Sequence, residues 1–252
     1  MEKRIRGFTL IELSIVLIII SLIVGGIVGG QSLLHSARVN KLAKQANSYI
    51  TSINAFKLQY DSLPGDITNA TDYWPSCIDS GVNTCNGNGD NNMGSGGITS
   101  YEGARAWQHM SLAEILPNNF SGSQDGGNAW NYTSFEVLQS TIPIGALNSC
   151  YTISYSRLSN EANGRLGNRI MISGIQNIFS NPTPWGYLLL PKEAKSLDRK
   201  FDDGNADSGN ITSSNGAGTS GIATGCLIGG GQNGSYDLST TTEDCVMFFF
   251  FD

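Results

Sequence analysis

Histidine is nearly missing from this chain, with His35 and His109 its only two, and its five cysteines form no close CxxC pair. Both shortages argue against a zinc site. No GxSxG, HExxH or P-loop signature occurs, and the glycine-rich stretches lack the lysine and strand-to-helix context that cradle phosphate. The two histidines fall in helical patterns, where a packed or surface imidazole outweighs a general base. Charge is scarce as well, at 14% of 252 residues, so solubility rests on Gly, Ser, Asn and Thr, a surface suited to protein contacts. The formal charge is −6 and the first seven residues contribute +2 (Lys3, Arg4 and Arg6 against Glu2), so the remainder carries −6 − 2 = −8. Nucleic acid binding by the bulk of the chain is disfavoured, because it needs a basic footprint. Hydrophobic residues at 40% suffice for a core, and the length fits one good-sized domain with extra elements or two small ones.

What is present begins with MEKRIRGFTLIELSIVLIIISLIVGG. From Phe8 to Gly30 the only charge is Glu12, and a 23-residue helix rises about 34 Å, enough to cross a hydrocarbon layer of about 30 Å. A removable secretory signal has a shorter apolar region followed by a small-x-small site, and neither occurs here. Lys3, Arg4 and Arg6 precede the span, so the positive-inside rule places the tip in the cytoplasm and the residues after Gly30 outside. An extracytoplasmic domain favours disulfides: Cys226 with Cys245 and Cys77 with Cys85, with Cys150 left over. Sequence alone does not fix that connectivity, and five reduced buried cysteines are the alternative. The segment GGIVGG supplies two small-xxx-small pairs, Gly25 with Gly29 and Gly26 with Gly30. They form a helix contact face, a stretch that unwinds under load, or an ordinary lipid-facing helix end.

Beyond the span, Val39, Leu42, Ala46, Tyr49, Ile53, Phe56 and Tyr60 recur at spacings of 3 and 4, with polar residues between them. This predicts an amphipathic helix continuous with the span, stopping near Asp61 where SLPGD brings proline and glycine together. The seam packs on a sheet of the same chain or, alternatively, on a second helix as a coiled coil.

The stretch KRIRGFTLIELSIVLIII resembles the start of a type IV prepilin or a type II secretion pseudopilin: a short basic leader, a glycine, a phenylalanine, and a glutamate four residues later inside an apolar helix. The resemblance implies cleavage between Gly7 and Phe8 by a membrane prepilin peptidase and N-methylation of the new Phe8 amine. It also implies assembly into a filament in which Glu12 pairs with the Phe8 amine of a neighbouring subunit. A local alternative is that Glu12 answers the helix macrodipole near headgroups. Many relatives have a proline where this chain has GGIVGG.

The implied fold is α+β and pilin-like. Residues 1–7 form a leader, 8–30 a membrane and assembly helix, 31–60 its amphipathic continuation, and 61–252 an extracytoplasmic domain with an antiparallel sheet on the helix. Within that domain the residues predict a helix over 101–116 and strands over 150–158, 169–173, 185–190 and 245–251. The MFFFF run near the C-terminus is expected as an interior strand or one paired in the assembly, since exposure would invite aggregation.

Two loops are rich in oxygen ligands. KFDDGNADSGN offers Asp202, Asp203, Asn205 and Asp207, and CNGNGDNN offers Asn86, Asn88, Asp90 and Asn91, both suited to a Ca²⁺ shell. The first loop departs from an EF-hand at Ser208 and Ser214, and Asx and glycine turns without metal are the alternative for both. The resemblance raises calcium for the first loop, since some pseudopilins hold it near the C-terminal end of the sheet. The NxS/T triplets at Asn69, Asn119, Asn131 and Asn210 match chance in so polar a chain.

The expected function is therefore a non-enzymatic subunit of a type IV pilus-like filament. A type II secretion pseudopilin and a minor pilin acting as an adhesin or DNA-uptake module, with loops between residues 77 and 130 contacting a ligand, are the alternatives. The expected partners are other subunits, prepilin peptidase, an inner-membrane assembly platform and the membrane.

Overall fold

In the computed structural model, residues 7–77, 84–94, 102–122, 132–155, 166–176, 182–218, 221–222, 225–228 and 235–251 are described. One helix dominates. α1 runs from Leu10 to Tyr60, about 77 Å at 1.5 Å per residue. It stops where the SLPGD turn demands, with Asp61 in the left-handed region (φ 53°) donating its N–H to the Lys57 carbonyl at 2.9 Å.

The two halves of α1 have opposite surroundings. Phe8 is 86% exposed, and the apolar side chains described from Leu10 through Leu34 are all exposed. Burial starts at Val39 and follows the 3,4-spaced seam: Leu42, Ala46, Ile53 and Phe56 are buried, and Tyr49 and Tyr60 are half-buried against them. The seam packs within its own chain, as the sequence anticipates for a helix laid on a sheet.

That sheet contains β1 (Ser149–Tyr155), β2 (Asn168–Gln176), β3 (Thr183–Gly186), β4 (Ile211–Asn215) and β7 (Cys245–Phe250). A separate two-stranded ribbon pairs β5 (Ala217–Gly218) with β6 (Gly221–Ile222). The main order is β1-β2-β7-β4, antiparallel throughout, and β3 pairs with the far end of β2. The phenylalanine-rich run is thus interior. Its period of two buries both faces: Met247 and Phe249 join the helix-side core, while Val246, Phe248 and Phe250 pack with Met171 and Trp185 on the other face. The Arg169 guanidinium lies over the Phe248 ring, 4.3 Å from its centroid. On the helix side, Ile153, Ile170, Phe249 and Ile211 form one row across four strands. In the next row Tyr151 lends its hydroxyl to the Leu42 carbonyl of α1 at 3.2 Å.

The remaining helices are α2 (Ala70–Tyr73), α3 (Glu102–Leu112), α4 (Phe135–Thr141) and α5 (Pro191–Phe201). α3 is a turn shorter than the expected 101–116, because Glu114 turns left-handed (φ 57°) ahead of Pro117. Tyr101 lies outside the described residues. The expected strand over 185–190 ends at Gly186. Leu188 and Leu189 instead bond to Cys245 at the start of β7, and Pro191 opens α5. β2 extends beyond 169–173, and residues 156–158 of the expected first strand lie outside the described set. Neither α5 nor β4 is anticipated by the sequence reading.

Cys77 is joined to Cys85 and Cys226 to Cys245, and Cys150 is a buried thiol that burial pushes up to about 12. The second bridge ties the start of β7 to the loop after β6. The first holds the 84–94 loop beside α3.

Candidate functional site

At the start of α1, Gly7, Phe8 and Thr9 form an extended lead-in, and the Gly7–Phe8 bond lies ahead of the first helical residue. A peptidase needs an accessible, unfolded strand of this kind. Glu12 has a partner in its own chain. Thr9 is the N-cap: its Oγ1 accepts the Glu12 N–H at 3.3 Å, while Glu12 Oε2 accepts the Thr9 N–H and hydroxyl, each at 2.8 Å. This is a capping box, whose signature T-x-x-E stands in the sequence as TLIE, so Thr9 is the local partner of Glu12 that the sequence analysis does not name. The box occupies Oε2, and no hydrogen bond to Oε1 occurs among the described residues.

The second candidate is the acidic loop after α5. The structure gathers Asp202 and Asp203 with Asp198, one carboxylate oxygen from each lying within 4.8 Å of the others; Asp207 is outside that group. Asp198 belongs to α5 and is fully buried, its oxygens accepting the Tyr236 hydroxyl (2.7 Å) and the Gly204 N–H (2.9 Å). Asp202 Oδ2 accepts the N–H groups of Asn210 and Ile211, which starts β4. Asp203 accepts the Asn205 N–H and the Ser208 hydroxyl. Asn205 thus enters through its backbone as part of an Asx turn. Among the described residues no cationic side chain pairs with any of the three. Burial is the main cause that lifts the Asp198 carboxyl to about 6, and the neighbouring charges of Asp203 and Asp202 add to it. Three hard oxygen donors without a counter-charge suit a hard divalent cation.

The other loop lies over a second carboxylate group: one oxygen from each of Asp66, Asp90 and Glu102 lies within 4.8 Å of the others, and Asp66 and Glu102 are buried. Asp66 accepts the N–H groups of Gly89, Asp90 and Asn91, and Glu102 those of Asn88 and Gly94. The loop's own side chains make turns, Asn88 Oδ1 taking the Asp90 N–H and Asp90 Oδ1 the Asn92 N–H, while Asn86 Oδ1 takes the Thr71 N–H of α2. Burial raises both the Asp66 and Glu102 carboxyls. The chain reaches this cradle through Gly65, whose φ of +85° and close approach to the Glu102 carbonyl leave no room for a Cβ.

His109 locks the same region. Its Nδ1 accepts the Gly65 N–H at 2.8 Å and its Nε2 bonds to the Cys85 carbonyl at 2.9 Å, which fixes a neutral ring with the proton on Nε2. Burial pulls its pKa down to about 4. With both nitrogens engaged and Cys77 and Cys85 joined to each other, the Cys77–Cys85–His109 group holds no metal. His35, by contrast, meets Glu193 of α5 at 2.7 Å across the first contact between α1 and the domain.

Residues 3–28 match the family described as the prokaryotic N-terminal methylation motif. The match takes in the basic leader, the Gly7–Phe8 junction, Glu12 and the apolar run almost to its end, so the chain carries the prepilin-type signature. No curated protein and no solved structure matches the chain.

Proposed function

We propose that this chain is a non-enzymatic subunit of a type IV pilus-like filament, stored in the inner membrane with residues 61–252 outside, cut after Gly7, methylated on Phe8, and assembled through α1. The observation that carries this reading is the split character of α1. A helix exposing every described apolar side chain from Leu10 to Leu34, yet continuous with a packed core from Val39 onward, needs lipid or neighbouring helices around its first half. The methylation motif on that half supports the processing steps, with prepilin peptidase and a membrane assembly platform as partners. Charge alone does not orient the span, because Arg38, Lys41 and Lys44 follow it as Lys3, Arg4 and Arg6 precede it. The two bridged cysteine pairs favour the outside for the domain.

Shearing cells and quantifying the released fraction tests the role. A principal pilus subunit dominates that fraction. A trace amount supports a minor subunit, and retention with the envelope supports a secretion pseudopilin. The binding role of a minor subunit is favoured by one feature, a groove of about 520 Å³ whose lining includes Gln45, Tyr49, Phe120, Gln139 and Pro143.

Calcium is the proposed ion of the Asp198, Asp202 and Asp203 group. The Asp198 pKa supplies a test whose sign follows from linkage. The folded carboxyl titrates near 6 against 3.8 ordinarily, so between those values the folded state binds more protons than the unfolded one. Stability due to Asp198 is therefore complete below about 4 and is lost as pH rises through about 6. In chelator, wild type is expected to lose melting temperature relative to Asp198→Asn across this window; the opposite slope of His109 is common to both and cancels. Calcium should restore wild type above pH 6 and leave the variant nearly unmoved. A calcium shift equal in both proteins contradicts the assignment.

A further inference from the structure

The distribution of basic side chains is uneven in a way the filament role does not use. Of the 15 Lys and Arg residues, seven fall within two short stretches, 38–44 of α1 and 191–200 of α5, while residues 201–252 hold seven acids and no Lys or Arg. The fold brings the two basic stretches together. His35 meets Glu193 at 2.7 Å, and Lys200 donates to Asn40 Oδ1 at 2.6 Å, so α5 lies against the part of α1 that has just left the apolar segment. The two acids within these stretches do not offset them at the surface: Glu193 faces His35, and Asp198 is buried.

Height decides what this collar meets. The continuous exposed apolar surface of α1 ends at Leu33 and Leu34, 74% and 61% exposed, and the next residue, His35, meets Glu193 of the domain. Arg38 is about 6 Å, Lys41 about 10 Å and Lys44 about 15 Å farther along the helix axis. The headgroup layer adds roughly 5–8 Å beyond the hydrocarbon, and charges are felt for about another 8–10 Å at ordinary ionic strength. At 100° per residue, Lys41 and Lys44 lie on the side of α1 away from its buried seam and Arg38 at the seam's edge, while Lys192, Lys195 and Arg199 extend the charge along α5. All but the half-buried Lys195 are exposed.

We propose that this collar docks the folded domain onto anionic phospholipid headgroups of the leaflet from which α1 emerges. The occupant follows from continuity with the apolar span and from charge complementarity: basic side chains of α1 and α5 cluster at the height where a phosphate layer begins. The contact holds the stored subunit upright against the bilayer and is released when the subunit is drawn into a filament. The proposal rests on the reading that residues 8–30 span a membrane, with the apolar surface of α1 reaching the interface at Leu33 and Leu34.

The test uses the full chain, reconstituted at low density in vesicles of phosphatidylcholine alone or mixed with phosphatidylglycerol. Lysine acylation is followed residue by residue by mass spectrometry. Lys41, Lys44, Lys192 and Lys195 are expected to react roughly threefold or more slowly in the anionic vesicles, with the difference abolished at high salt. Lys57, about 34 Å beyond Leu34 along the helix axis, should react equally in both. An integral chain whose collar lysines react at the same rate in both lipids overturns the proposal alone. Protection that rises with protein density and ignores lipid charge also overturns it, assigning the collar to a second copy of the chain. Release of the chain by alkaline carbonate overturns the spanning reading itself, and the proposal with it.

Discussion

Glu12→Ala is expected to insert into the membrane as wild type does and to fail at assembly. Insertion depends on the apolar length, which the substitution leaves intact, and removing a carboxylate lowers the cost of burying the segment. Assembly on this account places the Phe8 amine of one subunit against Glu12 of another in a water-poor helix bundle. Removing one partner leaves a buried cation unpaired, which costs about 3–5 kcal/mol, or roughly 150- to 4000-fold in the equilibrium for adding a subunit. The capping box sharpens the test. Glu12→Gln keeps a side-chain oxygen able to accept the Thr9 N–H, so it preserves the local helix start while removing the charge. Thr9→Val does the reverse, costing about 0.5–2 kcal/mol of cap while retaining the carboxylate. Counting subunits in filaments, with membrane abundance as the control, should therefore rank Thr9→Val well above Glu12→Gln. If Glu12→Gln assembles like wild type, capping is the whole role of Glu12.

Phe56→Ala carries the second large effect, on stability. Phe56 is fully buried at the far end of the seam, its ring 4.5 Å from that of Tyr60, 6.3 Å from Trp74 and 6.2 Å from the His109 imidazole it stacks on. His109 in turn holds Gly65 and Cys85, so the cavity opens beside the cradle that shapes the 84–94 loop. Truncation of a buried phenylalanine costs about 3–5 kcal/mol, a large share of the ~5–15 kcal/mol that holds a domain together. At roughly 2–4 °C per kcal/mol for a domain of this size, the melting temperature should fall by about 6–20 °C. The measurement is a thermal melt of the full chain in detergent. Leu58→Ala, two residues away and 89% exposed, should stay near wild type.

The residues that sequence reading captured share a local signal. Leu42, Ile53 and Phe56 are spaced so that one face of a helix is apolar, and no tertiary information is needed to see it. The end of α1 was equally legible, because Pro64 and Gly65 cannot continue a helix. The Cys245–Phe250 strand announced itself by hydrophobicity alone. What escaped lacked such a signal. α5 carries Lys192, Glu193, Lys195, Asp198, Arg199 and Lys200 within eleven residues, and its buried face is little more than Ala194 and Leu197, too narrow a stripe to stand out among charges. Its opening Pro191 and the Glu193 after it were the available cues. β4 is ITSSN, a polar strand buried beside a phenylalanine-rich one, which hydropathy cannot reveal.

The acidic loop follows the same logic. Asp202 and Asp203 were visible as a pair, but Asp198 joins them only through one turn of the unrecognised α5. Asp66 and Glu102 are 36 residues apart and meet because the Gly65 turn packs on α3, a contact that no periodicity encodes.

The most direct test is mass spectrometry of the N-terminal peptide of the protein isolated from its native membrane and filaments. The peptide is expected to begin at Phe8 and to carry one methyl group on its amine. A functional product that still holds Met1–Gly7, or an unmodified Phe8 in assembled filaments, would contradict the proposed processing.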